Sequence, residues 1–171
     1  KTNSLIQNAR ELREKYQKDP HRPKYHFTAP EGICHPFDPQ GCIHWKGGYH
    51  LFYAVQAEEK EKRIGCWGHA SSADLVHWTH HPIALAVSPV DPEKHVFAGG
   101  ALVNKAGVPT MIYHGVDSGT CIATCRDDDL IHWTKCPENP VIPKPKEGHP
   151  DYGKYHVWDT CGWVEGDTYY A

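Results

Sequence analysis

Asp38, in the run Phe37-Asp38-Pro39-Gln40-Gly41, and Asp159, in Val157-Trp158-Asp159-Thr160, are the carboxylates whose settings invite chemistry. Asp is disfavoured in strand interiors, yet Asp159 falls in a run that reads as a strand. Asp38 taken alone also reads as an ordinary Asp-Pro turn. Paired carboxylates on a rigid, aromatic-lined channel are what cleavage of a glycosidic bond requires. Its oxocarbenium-like transition state needs negative charge beside the anomeric carbon and a carboxyl group near the leaving oxygen. Aromatic rings supply flat apolar platforms for sugars. Trp67 and Phe97 are the platform candidates, with packing between sheets as the competing role.

Other reactive residue types point nowhere as definite. Fourteen histidines invite a metal reading, but no H-E-x-x-H or paired Cys-x-x-Cys occurs, and most lie beside Trp, Tyr or Pro in strand and turn contexts. Packing and hydrogen-bonding roles are therefore expected, with no metal and no organic cofactor. The seven cysteines (Cys34, Cys42, Cys66, Cys121, Cys125, Cys136, Cys161) have no zinc spacing, and their odd number leaves at least one thiol unpaired within a single chain. Eighteen basic residues against 21 acidic ones leave no positive surplus with which to neutralise a phosphate backbone, so nucleic acid is not an expected partner. The longest apolar run is only a few residues, too short for a bilayer span or the core of a signal peptide. A carbohydrate is the expected partner, and nothing in the sequence sets an oligomeric state.

The elements that must position these residues are mostly strands. With 15 Gly, 14 Pro, 6 Trp and 9 Tyr in 171 residues, the composition favours short strands and turns, and an all-β protein is expected. Residues 4–16 are the exception: Leu5, Ala9, Leu12 and Tyr16 recur at three- and four-residue steps, so residues 1–20 read as a helical lead-in closed by Pro20 and Pro23. Residues 21–171 then form one β domain. Within it Asp74-Leu75-Val76-His77-Trp78-Thr79 recurs 55 residues later as Asp129-Leu130-Ile131-His132-Trp133-Thr134. Turn glycines at Gly48, Gly107 and Gly166 recur every 59 residues. A unit of this length, with about four strands and an Asp-Leu-x-x-Trp turn, matches a propeller blade. From Asp38 the chain holds two whole units and the opening strands of a third, fewer than a closed ring takes, so it is expected to be the N-terminal part of a longer protein. A small sandwich with coincidental repeats is the alternative.

Innermost strands of successive blades converge on one channel, which directs attention to the start of each unit. Those starts are residues 35–41, the run Val96-Phe97-Ala98-Gly99-Gly100, and Val157-Trp158-Asp159-Thr160. The runs Arg22-Pro23-Lys24-Tyr25-His26-Phe27-Thr28, Phe37-Asp38-Pro39-Gln40-Gly41, Tyr49-His50-Leu51-Phe52-Tyr53 and residues 67–78 together resemble the opening of glycoside hydrolase family 32, the invertases and fructan hydrolases. Phe97-Ala98-Gly99-Gly100 is similar to the family's Phe-Ser-Gly-Ser segment, and Asn139-Pro140-Val141-Ile142 to the Asn-Pro-Val-Leu segment before its Arg-Asp-Pro motif.

The resemblance implies a five-bladed propeller hydrolase in a superfamily shared with arabinosidases and xylosidases. Asp38 would be the nucleophile, Asp159 the transition-state stabiliser, and an acid/base Glu would come from sequence beyond residue 171. Gln40 would join the substrate-binding set. Trp158 stands where the family has the Arg of Arg-Asp-Pro, and Ala54 where it has a Gln, although Gln56 is placed to reach the same region. Trp cannot reproduce the planar fork of donors of Arg, which turns the expectation from clamping a fructosyl hydroxyl toward stacking on a sugar. Arg126-Asp127 mimics the Arg-Asp pair, but the 55-residue offset maps Asp127 onto Ser72 in an outer turn.

Three functions remain open on this reading: a retaining β-fructosidase-like hydrolase, an inverting arabinosidase- or xylosidase-type enzyme, and a carbohydrate-binding propeller without catalysis. Chemistry on polysaccharide leads to an extracytoplasmic expectation, to which the cysteine count lends no support.

Overall fold

The computed structural model describes residues 38–59 and 62–171, together with Glu11, Glu14, Lys15, residues 18–21 and Phe27. Most of the helix expected over residues 4–16, the run 22–28 apart from Phe27, and residues 35–37 lie outside the described residues.

Four strands, β1 (Pro39–Trp45), β2 (Gly48–Glu59), β3 (Lys62–Ser72) and β4 (Thr79–Leu85), make an antiparallel sheet in chain order. The pattern recurs with β5 (Val96–Val103), β6 (Pro109–Gly115), β7 (Gly119–Cys125) and β8 (Trp133–Lys135), and β9 (Ile142–Pro143) pairs with the start of β7. A hairpin of β10 (Trp163–Glu165) and β11 (Thr168–Tyr170) follows. The expected mainly β architecture and the 55-residue periodicity are therefore both present in the strand order.

A carboxylate caps the same two N–H groups in both repeated turns, Asp74 in the first and Asp127 in the second. Between β3 and β4, Ser72 Oγ accepts the Leu75 N–H at 2.8 Å, while Asp74 Oδ1 accepts the Val76 and His77 N–H groups at 2.9 and 2.8 Å. Between β7 and β8, Asp127 Oδ2 accepts from the equivalent Ile131 and His132 N–H groups at 2.8 and 2.9 Å. Both turns put a leucine in the left-handed region, Leu75 at φ 63° and Leu130 at φ 54°. The cost of that conformation is offset by a carboxylate that satisfies two otherwise orphaned donors. In the β1–β2 hairpin the left-handed glycine is Gly47 (φ 85°), not Gly48, because Gly48 already pairs with Trp45 as the first residue of β2. Lys46 and Gly47 thus form a two-residue turn with φ positive at both positions, the geometry that matches strand twist.

Alternation along β2 sends Phe52 to one face of the first sheet and Tyr53 and Val55 to the other. Phe52 and Trp67 pack against Met111, Tyr113 and Cys121 of the second sheet, so the two sheets share one core. Tyr53, Val55, Cys66 and Ile83 make a separate core on the far face, against which Phe27 and Trp78 pack. Burying an apolar side chain of this size is worth about 1.5–3 kcal/mol, and this shared core fixes the angle at which β1 meets β5.

Candidate active site

The start of β1 and the start of β5 approach more closely than side chains ordinarily permit. A Cβ on Gly41 would lie 2.9 Å from the Ala101 backbone nitrogen, and one on Gly99 only 2.0 Å from the Ile112 carbonyl oxygen. Gly41 is what lets β1 meet β5, and Gly99 lets the bulged β5 close on its ladder partner β6. Gln40, 4% exposed, bridges them: its Nε2 donates to the Asp38 carbonyl at 3.0 Å and its Oε1 accepts the Gly99 N–H at 3.2 Å. The Asp38 carbonyl also accepts the Ala54 N–H at 3.1 Å, so Asp38 is held by its own backbone at the rim of the first sheet.

A register shift between Val96 and Gly99 bulges β5 and turns Phe97 outward. Gly65 makes room for that ring, since a Cβ there would approach it to 3.1 Å. The Phe97 carbonyl accepts the Trp67 indole N–H at 2.9 Å. Beyond β9 the segment holding Asp159 is irregular; Val157 is buried, Trp158 is 65% exposed, and Asp159 is exposed. Thr160 Oγ1 shares a hydrogen bond of 3.3 Å with Thr120 Oγ1 of β7.

These pieces enclose one cleft of about 280 Å³, to which Asp38, Gln40, Gln56, Phe97, Trp158 and Asp159 all contribute. Six of the seven residues singled out from the sequence are thus brought together. Trp67 is not among them. It is wholly buried in the core between the sheets, edge-on to Tyr113 at 6.2 Å, so the platform expectation gives way to a packing role. It reaches the cleft through the hydrogen bond to the Phe97 carbonyl and through its register partner Ala54. Ala54 lines the cleft without a polar group, and the buried Oε1 of Gln56 nearby has no hydrogen-bond partner among the described residues.

His114 is the cleft-side residue that sequence reasoning missed. It lies near the end of β6, almost fully buried, with its ring 5.1 Å from Trp158 and edge-on to Phe97 at 6.1 Å. Burial holds its imidazole below the usual histidine range, with Asp159 pulling the other way. The available signal was its position in Tyr113-His114-Gly115, where β6 runs back to pair Gly115 with Val96 at the head of the unit.

Asp127, by contrast, stays in its outer turn. Burial pushes its carboxyl up, but hydrogen bonds from the Cys125 thiol and the His132 and Ile131 N–H groups outweigh this and hold it below the usual carboxylate range. Among the described residues no group of three or more His, Cys, Asp or Glu is arranged to hold a metal ion, and no helix is long and apolar enough to cross a membrane. The six described cysteines are all free thiols.

Comparison with known proteins places the chain that builds this cleft in one family. Residues 26–171 match the N-terminal domain of glycosyl hydrolases family 32, and the chain belongs to that family. It is 33% identical over 156 residues to the sucrose-6-phosphate hydrolase of Salmonella typhimurium, covering 89% of this chain and 32% of that protein. It is 37% identical over 146 residues to the levanase of Bacillus subtilis, covering 76% of this chain and 20% of the levanase. Among solved structures, fructan 1-exohydrolase IIa from Cichorium intybus superposes with a TM-score of 0.62 at 31% identity, over 84% of this chain and 26% of that one. The chain thus spans a third or less of the length of these relatives.

Proposed function

We propose that this chain is part of a five-bladed β-propeller glycosidase that cleaves β-fructofuranosyl bonds in oligo- or polysaccharides. Residues 21–171 supply its first blades, and Asp38 and Asp159 belong to its catalytic machinery. In this reading Asp38 attacks the anomeric carbon, forming a covalent glycosyl-enzyme while the bond to the leaving oxygen breaks. Asp159 stabilises the positive charge developing on the ring through hydrogen bonds to sugar hydroxyls. The acid/base carboxyl comes from residues other than these 171, first protonating the leaving oxygen and then deprotonating the water that releases the sugar. Gln40 sets the Asp38 backbone, Gln56 contributes to the cleft wall, and Phe97 and Trp158 flank the ring.

The single observation that carries this reading is the shared cleft: carboxylates from the first unit and the third meet in one cavity flanked by aromatics. The names of the relatives supply the substrate class. Trp158 and Ala54, where the resemblance calls for Arg and Gln, favour a second reading, a propeller that binds sugar without cleaving it.

One experiment separates these. The full-length protein is incubated with sucrose, inulin and levan and the products are followed by NMR. Release of fructose with the β-anomer formed first supports retention, α-anomer first indicates an inverting enzyme, and binding without release supports the non-catalytic reading. In the retaining case Asp38→Asn lowers turnover by at least about 10³-fold. Unchanged turnover removes Asp38 from the mechanism.

A further inference from the structure

Asp159 sits on an irregular segment, so whatever fixes its carboxylate must come from its neighbours rather than from a strand ladder. Two anchors are visible, one on each side. Trp158 lays its indole against the His114 ring, 5.1 Å between centroids at an interplanar angle of 42°. Thr160 shares its hydroxyl hydrogen bond with Thr120. His114 and Thr120 are register partners on β6 and β7, so both anchors stand on one cross-strand pair.

We propose that the His114/Thr120 pair is a bracket that positions Asp159 and the Trp158 wall, with His114 the positioning residue that sets how the sugar ring is received. The proposal rests on the glycosidase reading of the cleft and deepens it by naming what holds one of its two carboxylates.

Three features make His114 more than filler. Its ring stands between the two aromatic walls, edge-on to Phe97 at 6.1 Å on one side and under Trp158 on the other, so it spaces them. It is 3% exposed, yet its Nδ1 is buried with no hydrogen-bond partner among the described residues, an arrangement that costs free energy and that an apolar residue would avoid. The charges that face it are Asp159 on the bracketed segment, Asp117 in the β6–β7 turn and Lys144 just after β9. Asp159 and Asp117 favour the imidazolium, whereas Lys144 and burial oppose it. The ring is therefore neutral while Trp158 lies tilted against it, and gains charge beside Asp159 only in acid.

Trp158 is held from one side and open on the other, which suits the flat apolar face of a pyranose or furanose ring. Removing the backing ring frees the indole to fold into the space His114 leaves, carrying Asp159 with it. Misplacement of about 1 Å in a reacting group costs roughly 10²-fold in rate.

The test uses the full-length protein, sucrose as turnover probe and fructose as binding probe. His114→Ala is expected to lower kcat/KM for sucrose by roughly 10²-fold, kcat falling through the displaced Asp159 and KM rising through the displaced Trp158, and His114→Phe, which restores a ring, to bring kcat/KM back within about threefold. Thr120→Val shifts kcat/KM in the same direction, and the double variant His114→Ala/Thr120→Val costs less than the product of the two single effects, as expected of groups acting on one segment. Trp158 emission, obtained as the difference between wild type and Trp158→Phe, gives a second readout. It is quenched on acidification by the imidazolium in wild type and loses that quenching in His114→Phe.

A His114→Ala protein with wild-type kcat/KM and unchanged Trp158 emission overturns the proposal. So does acid quenching that persists in His114→Phe, a variant that keeps the packing should His114→Ala fail to fold. If wild type turns over no sucrose, inulin or levan, the glycosidase reading falls, while the emission titration and fructose affinity still decide whether the bracket exists.

Discussion

Gln40 shows at the residue scale how one side chain serves two sheets. Its amide satisfies the Asp38 carbonyl and the Gly99 N–H, groups that belong to different units of the repeat. Gln40→Ala leaves the Gly99 N–H without its partner at the junction, a loss of about 1–3 kcal/mol that urea denaturation will register, and it frees the Asp38 backbone. In contrast, Gln40→Glu keeps the acceptor but removes the donor, so the Asp38 contact alone should be lost. None of this was visible in the sequence, because the contact spans 59 residues and depends on Gly41 permitting the close approach of β1 to β5. Trp67 was misread for a related reason. The first sheet is buried on both faces, so its Trp67 and the adjacent Cys66 are both in cores, and no alternation marks which side chain faces a cleft. Asp38 and Asp159 were legible because each sits at the head of a repeat unit, where a channel would gather them.

The first sheet also carries a ladder of imidazoles at the element scale. His69 of β3 is wholly buried, stacked on Phe52 at 4.5 Å and on His81 of β4 at 4.4 Å, and its Nε2 is 2.9 Å from His50 Nδ1 of β2. His81 Nε2 in turn meets Ser71 Oγ at 2.7 Å. Burial, reinforced by His81 and His50 and only weakly offset by Asp127, drives the His69 imidazole down to about 2; burial lowers His50 too. The His69 ring is neutral in the folded sheet but titrates near 6.5 once unfolded, and His50 shifts in the same direction. The His69 contribution is thus fully present above pH 6.5 and is lost as pH falls from there toward the folded value. The slope is at most about 1.4 kcal/mol per pH unit for His69. Thermal melts from pH 7 to pH 4.5 should show a steep loss of stability, and His69→Gln should flatten it. A slope unchanged in His69→Gln would assign the acid sensitivity elsewhere. The histidines themselves were obvious in the sequence; that three of them align across β2, β3 and β4 required the register.

Both sheets behave as one body at the scale of the whole molecule, because Phe52 and Trp67 of the first are buried with Met111, Tyr113 and Cys121 of the second. The repeat in the sequence disclosed the units and their order, since the turn between the third and fourth strands carries the same Asp-Leu-x-His-Trp run in both, although its N–H groups are capped by Asp74 in the first unit and by Asp127 in the second. It did not disclose the angle between units, which is set by large side chains meeting glycine-permitted backbone at β1 and β5. The cleft lies at that junction, so its geometry depends on the shared core rather than on either sheet alone. A cavity at Met111 tests this dependence. Met111→Ala should cost about 2–5 kcal/mol, and the loss should appear in a single transition when followed by far-ultraviolet circular dichroism and by tryptophan emission. Two separated transitions would mean that the sheets unfold independently. In that event a variant confined to the second sheet would leave Asp38 on an intact first sheet while displacing Phe97 from it, and the cleft would be lost with half of the fold still standing.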